Sequence, residues 1–357
     1  MKKRRLSYWY GRFIRLTRAI TLERVSNYLL IHLNYIFGTE YIKSLPPLIY
    51  IDPLNYCNLH CPLCPTGQGV LGRGKGKMPF DLYKKIIDQV YKKILFINLF
   101  NWGEPLLHPE IHKFIRYANE KRIGVRISTN LNKITENQAR LLVSAGLEEI
   151  YIDIDGATQE TYEKYRVGGN IEKVFRGIEY IIQARKLYNS IFPLITIRIL
   201  ENKYNQAEIG EIINKTWYMD IDRIEVASLF VNPERKLDVD KWIIRQSNNK
   251  QINQNTRIKC KDLWLNLTIS WDGGIFPCCW MHNKEYDFGN INDIGNIFNI
   301  LNNKEYRSSR LFLSGKLEDI SPQIICRTCR GFPENYYYYW DREEEDLGSV
   351  KKNNGLI

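Results

Sequence analysis

From residue 48 onward, short apolar runs alternate with longer stretches whose apolar positions recur every three or four residues. Runs of the first kind read as strands, and stretches of the second kind as helices that bury one face. The pattern predicts strands at 48–52, 94–100, 125–129, 149–155, 194–200 and 223–229, with helices between them at 79–93, 109–121, 135–145, 171–188 and 204–218. Strands joined through helices in this way run parallel, in an open barrel or a doubly wound sheet. Pro79 and Pro109 suit first-turn positions of their helices, and Thr135 with Gln138 resembles a capping box. In the fourth strand, alternation puts Tyr151, Asp153 and Asp155 on one face. Polar groups there are costly in a dry core, so this face is expected to line a wet or ligand-holding cavity. A carboxylate bound to loop amides at the strand end is the alternative for Asp153.

The flanks differ from this core. Residues 1–45 form a basic arm, and if 6–20 is helical then Leu6, Trp9, Phe13, Leu16 and Ile20 share one stripe, with Arg5, Arg12, Arg15 and Arg18 on a flanking arc. Such a helix can rest on an anionic membrane surface, pack on the barrel with its arginines solvated, or meet a phosphorylated substrate. After the core at 46–231, residues 232–257 turn polar and rich in Asn, Gln and Lys, as a linker would. A cysteine-bearing region spans 258–335. The tail at 336–357 opens with four tyrosines, Tyr336 to Tyr339, and carries the acidic run at 343–346.

The chain has 357 residues, 44% hydrophobic and 25% charged, which is ordinary for a folded globular protein. Its net charge of +11 is uneven: residues 1–24 hold eight Lys or Arg against Glu23 alone, and the remainder is close to balance. The basic character therefore belongs to one arm, and no nucleic-acid partner is expected. No apolar run approaches the roughly 18 residues that span a bilayer, the stretch at 28–37 being short and broken by His32 and Asn34. No signal-peptide pattern follows the basic start, so a cytoplasmic location is expected.

Eight cysteines remain to be explained, and their spacing argues for metal ligation over disulfides. Cys57, Cys61 and Cys64 form a C-x3-C-x2-C group just past the first strand, at the strand end where parallel α/β folds place chemistry. Three thiolates on a four-iron cube leave one iron open, as a catalytic metal site needs. A structural zinc site would require a fourth ligand, and His60 is the local candidate.

At these residues the chain resembles the radical S-adenosylmethionine (SAM) superfamily. The resemblance implies a partial (β/α)6, TIM-like barrel and a [4Fe-4S] cluster on Cys57, Cys61 and Cys64 whose open iron binds SAM. An electron from a flavodoxin- or ferredoxin-type donor then cleaves SAM to methionine and a 5′-deoxyadenosyl radical, which takes a hydrogen atom from substrate. Further matches sit at successive strand ends. Asn101-Trp102-Gly103-Glu104-Pro105 is similar to the family's Gly-Gly-Glu-Pro segment, which implies contacts to the SAM amino group by Gly103, Glu104 and Pro105, with Trp102 replacing the first glycine. Ser128 and Asn130 match polar contacts to the SAM ribose, Asp155 ends the fourth strand, and Arg166 looks like the arginine that pairs with the SAM carboxylate. Leu63 stands where the family often has an aromatic against adenine.

The cysteine-bearing region resembles the SPASM and twitch extensions of the same superfamily. Cys260-x12-Gly273-x4-Cys278 matches their opening and Cys326-x2-Cys329 their second half, implying a second, auxiliary [4Fe-4S] cluster on these four cysteines. The turn Trp271-Asp272-Gly273-Gly274 reads as a hairpin that draws Cys260 and Cys278 together. No cysteine follows Cys329, which favours the shorter, one-cluster twitch form; zinc on the same four thiols is the rival. Cys279 is left over, as a surplus thiol, a neighbour of the cluster or a hydrogen-atom donor. The expected activity is radical chemistry on a small hydroxylated molecule such as a sugar, aminocyclitol or nucleotide-linked intermediate. The alternatives are a peptide-modifying enzyme and a non-catalytic iron–sulfur or zinc scaffold.

Overall fold

The computed structural model describes residues 2–229, 241–244, 260–317, 324–327, 329 and 337–339. Six of the apolar runs become strands β1 (Leu48–Ile51), β2 (Phe96–Asn98), β3 (Gly124–Thr129), β4 (Glu149–Asp153), β5 (Leu194–Glu201) and β6 (Arg223–Ser228). Each pairs in parallel with the next, giving the order β6-β5-β4-β3-β2-β1. A strictly sequential order is that of an unclosed barrel, and it removes the doubly wound sheet, whose order must reverse at a switch point. Helices α1 (Lys2–Ala19), α2 (Leu22–Ile36), α3 (Pro65–Gln68), α4 (Phe80–Val90), α5 (Ile111–Glu120), α6 (Glu136–Ser144), α7 (Gln159–Tyr165), α8 (Ile171–Leu187) and α9 (Ile209–Trp217) precede or separate the strands.

The two faces of the sheet have opposite chemistry. Ile150 and Ile152 on β4, Val125 and Ile127 on β3 and Ile195 and Ile197 on β5 are fully buried beneath the helices, where Phe114, Leu142 and Ile178 meet them. The other face carries Arg126, Ser128, Glu149, Tyr151, Asp153 and Arg198, joined to one another. Arg126 pairs with Glu149 at 2.7 Å, Arg198 donates to Asp153 and to Ser128 at 2.7 Å each, and Tyr151 lies between the two guanidiniums. This is the polar interior predicted from β4, filled here by its own ion pairs.

Helix boundaries differ from expectation in instructive ways. Pro79 is the N-cap of α4 instead of a first-turn residue, and Pro109 lies before the cap of α5, which is Glu110. Thr135 caps α6 by accepting from the Gln138 amide, but the Gln138 side chain turns to the Leu106 carbonyl, so half of the capping box forms.

The cysteine-bearing region extends the sheet. Strand β7 (Asn266–Ile269) pairs in parallel with β1, and β8 (Gly274–Phe276) and β9 (Gly289–Asn290) follow antiparallel. Gly273 turns the predicted hairpin at φ +84°, where a side chain would be strained. At the opposite edge β10 (Tyr337–Tyr339) pairs antiparallel with β6, so three of the four tail tyrosines belong to the sheet. Tyr336, the acidic run at 343–346 and most of the expected linker lie outside the described residues.

The basic arm does pack on the barrel, by the face that the sequence did not single out. Tyr8, Gly11, Arg15 and Ala19 face inward across the starts of the strands: Gly11 against Leu194, Arg15 on Glu149 at 3.1 Å and over the Phe96 ring, and the Tyr8 hydroxyl accepting from Arg223 at 2.7 Å. Arg12 bonds the same hydroxyl, so these arginines are engaged and not solvated. The predicted stripe of Trp9, Phe13, Leu16 and Ile20 is left outward.

Candidate active site

The three-cysteine group occupies the loop that leaves β1, at the C-terminal end of the sheet, and runs straight into α3. Gly67 of α3 presses on this loop so closely that a Cβ there would lie 2.5 Å from the Cys61 carbonyl oxygen. Cys61 is buried and Cys57 and Cys64 half-buried, whereas His60 is exposed. His60 thus parts from the thiols instead of completing a zinc set. Burial pushes the Cys57 and Cys61 thiols up to about 12, so loading a metal group there displaces protons.

Segment 101–105 is locked under this loop by a residue that sequence reasoning passed over. Asp52, at the end of β1, accepts from the Trp102 and Gly103 amides at 3.1 and 3.2 Å. Gly103 has no room for a side chain, since a Cβ would meet the Leu54 carbonyl oxygen at 2.0 Å. Glu104 is buried and fully committed inside the protein: Oε1 accepts from Thr129 at 2.6 Å and Leu106 at 3.1 Å, and Oε2 from the Asn130 amide at 2.8 Å. Burial pushes both carboxyls up to about 7 against these donors. Pro105 begins the short 3-10 turn that follows. Asn130, so anchored, points its side-chain amide at Cys57 Sγ, 3.5 Å away, and at Asn58.

On the next strands, Asp155 is fully buried and its Oδ2 accepts from Arg166 Nε at 2.5 Å, while Oδ1 takes the Leu200 amide. Arg166 Nη1 lies 3.9 Å from Cys61 Sγ. Its Nη2 is buried with no hydrogen-bond partner, 3.5 Å from Asp153. Ser128 is held by Arg198, another residue without a sequence motif. The structure therefore gathers Cys57, Cys61, Cys64, Asn130, Asp155 and Arg166 around one space, with Leu63 in the apolar wall beside them.

That wall includes Trp242, from the stretch expected to be a linker. It packs on Tyr165 and Tyr204 at ring separations of 5.3 and 5.0 Å and joins Leu59, Cys61 and Leu63 in one cluster. The signal was a tryptophan followed by two isoleucines within polar sequence.

The second set of cysteines lies in buried surroundings. Burial pushes Cys260 up to about 12, with Asp262 and Cys329 adding to it, and Cys326 is raised by burial and then by Cys260 and Cys329. Cys278 and Cys279 are raised by burial first and then by Asp262, with Cys260 contributing to both. The two cysteine regions are tied together. Arg73, its side chain almost fully buried, pairs with Asp272 at 2.6 Å and with Asp287, and Trp102 Nε1 donates to the Met281 carbonyl at 2.9 Å.

An open parallel barrel with a thiol triad at its catalytic end and a second thiol group along its edge is the framework of an iron–sulfur enzyme. The donor chemistry and Arg166 Nη2, buried without a hydrogen bond, fit a cluster that carries an anionic ligand. The family model described as the radical SAM superfamily matches residues 51–212, and the SPASM iron–sulfur cluster-binding domain matches 260–330. This chain carries a radical SAM superfamily domain and a SPASM-type iron–sulfur domain. Together these domains imply [4Fe-4S] clusters and SAM as cofactors.

Among relatives, the chain is 24% identical over 271 residues to the tungsten-containing aldehyde ferredoxin oxidoreductase cofactor-modifying protein of Pyrococcus furiosus, covering 68% of this chain and 74% of that one. It is 23% identical over 186 residues to the PqqA peptide cyclase of Rhodopseudomonas palustris, covering 52% of this chain and 48% of that one. The crystal structure of Streptococcus suis SuiB bound to S-adenosylmethionine has the same fold, with a TM-score of 0.60 at 15% identity over 79% of this chain and 71% of that one.

Proposed function

We propose that this radical SAM enzyme modifies a peptide, by abstracting a hydrogen atom from it, and that the small hydroxylated molecule expected from sequence is the second reading. The observation that carries the proposal is the similarity over 186 residues to a PqqA peptide cyclase, in a chain that also matches the SPASM domain. The second reading is favoured by the charged interior around Asp153 and Arg198, which suits a polar, hydroxylated substrate.

With a cluster bound, the site would supply a single electron for the reductive cleavage of SAM. Cys57, Cys61 and Cys64 would hold that cluster, and Arg166 would offer Nη2 to the SAM carboxylate while Asp155 fixes its other edge. With Nε spent on Asp155, the fork expected from sequence is reduced to the outer nitrogens. Gly103 lets the backbone of 101–105 approach the SAM amino group, and Glu104 acts by holding Asn130 and this segment in register. Ser128 and Asn130 serve the ribose. Leu63, Tyr165 and Trp242 exclude water from the space where hydrogen transfer occurs. Cys260, Cys278, Cys326 and Cys329 hold one auxiliary cluster, with Cys279 beside it as an electron-path neighbour. A flavodoxin- or ferredoxin-type protein is the electron donor.

The test uses anaerobically reconstituted protein with reductant, SAM and peptides encoded beside its gene. Deuterium moving from a labelled peptide into 5′-deoxyadenosine supports the reading. Deuterium arriving only from a hydroxylated metabolite selects the second reading, and no 5′-deoxyadenosine under any condition would leave a scaffold.

A further inference from the structure

Of the twenty large apolar side chains exposed among the described residues, thirteen fall between Trp9 and Phe37. Eleven lie on α1 and α2 and two, Ile20 and Phe37, just past their ends; the opposite faces of these consecutive helices are fixed to the barrel by Tyr8, Arg15, Arg24 and Ile31. Leu22 is 90% exposed, Ile36 70% and Phe13 63%. A concentration of this kind on two consecutive helices marks a surface that is covered in use. No described helix is long and apolar enough to cross a membrane.

The charge on the same helix says what covers it. Helix α1 carries seven Lys or Arg and no acid: Lys2, Lys3, Arg4, Arg5, Arg12, Arg15 and Arg18. Arg15 is spent on the barrel and Arg12 on the Tyr8 hydroxyl of its own helix, and the four consecutive cations at the start of α1 come with no acidic residue in that turn. A two-fold contact centred on the start of α1 would set these like charges against each other. An anionic surface meets both features at once, since aromatic and aliphatic side chains enter the headgroup boundary while the cations pair with phosphate.

We propose that α1 and α2 form a peripheral docking face for a bilayer containing anionic lipid. Because α1 lies across the starts of β2, β4, β5 and β6, the cysteine loop at the strands' other ends then faces away from the membrane. The bilayer holds the enzyme without closing its site.

Full-length protein is sedimented with vesicles of phosphatidylcholine alone or mixed with phosphatidylglycerol, at low and high salt. The expected result is binding to the mixed vesicles that falls with salt, by about fivefold for each of Lys3→Gln and Arg4→Gln. Phe13→Glu with Leu29→Glu is expected to weaken it by at least about tenfold, with circular dichroism and the melting temperature unchanged because both positions are exposed. Three results overturn the proposal: no binding to the mixed vesicles, equal binding to neutral ones, or a dimer in sedimentation velocity that Phe13→Glu dissociates. None of these measurements depends on what the active site modifies.

Discussion

Replacing Asp52 separates the two tasks of one buried carboxyl. Its Oδ1 accepts two backbone amides, those of Trp102 and Gly103, and its own amide donates to Ile269 of β7 at 2.9 Å. Asp52→Ala strands both amides without an acceptor, and at about 1–3 kcal/mol for each buried unsatisfied donor the loss is about 2–6 kcal/mol. Asp52→Asn keeps an acceptor at the same place and mimics the protonated acid. Burial pushes the Asp52 carboxyl up to about 7, above its unfolded value, so the folded state holds the proton more tightly. Stability from this group is therefore present at low pH and is lost as pH rises through 7; between pH 6 and 8 the loss is about 1 kcal/mol by linkage. The asparagine variant has no such proton to lose. Melting curves of wild type, Asp52→Asn and Asp52→Ala at pH 6 and 8 should show Asn gaining on wild type by about 2 °C with rising pH, while Ala stays far below both. Parallel wild-type and Asn curves would refute the raised carboxyl, and Ala as stable as Asn would refute the bracing role.

Three further outcomes follow from the site. Reconstituted wild type should hold about eight irons and the triple variant Cys57→Ala, Cys61→Ala, Cys64→Ala about four, measured by iron analysis and absorption; stoichiometric zinc at 260–329 instead would sink the auxiliary cluster. Arg166→Lys should keep Asp155 paired, so the protein stays folded, yet weaken SAM binding by about tenfold in equilibrium dialysis through loss of the second nitrogen; an unchanged affinity would remove Arg166 from the SAM carboxylate. Arg73→Ala leaves Asp272 and Asp287 without their shared partner and should cost about 3 kcal/mol of stability with faster proteolysis of the neighbouring loop, whereas an unaltered melting temperature would show that the two cysteine regions hold together without it.

The strands were legible because each is an apolar run bounded by polar sequence, but helix-linked parallel pairing suits a barrel and a doubly wound sheet alike, and only the observed pairing decided the order. The cysteine loops were legible for another reason: thiols at fixed spacing have few other uses. What escaped was long-range. Nothing near Asp52 announces that it holds amides fifty residues on, and Arg73 and Arg198 are lone cations until the fold supplies Asp287 and Asp153. Trp242 was read by the polarity of its neighbours, although one large ring can outweigh them by packing on Tyr165 and Tyr204. On α1 the stripe by hydrophobicity was real, but the docking side was decided by Glu149 and Arg223 waiting beneath it.

The placement of β1 between β2 and β7 has a consequence for synthesis. As the chain leaves the ribosome, β1 through β6 can assemble while one edge of β1 still offers its backbone groups to any passing strand. That edge is satisfied only when residues 266–269 arrive, from the far end of the chain. The loop bearing Cys57, Cys61 and Cys64 springs from this same half-paired strand, so one of the edges open to mispairing in the nascent protein lies where its chemistry will sit. A chain truncated before β7 should accordingly aggregate, even though every catalytic motif of the barrel is already present.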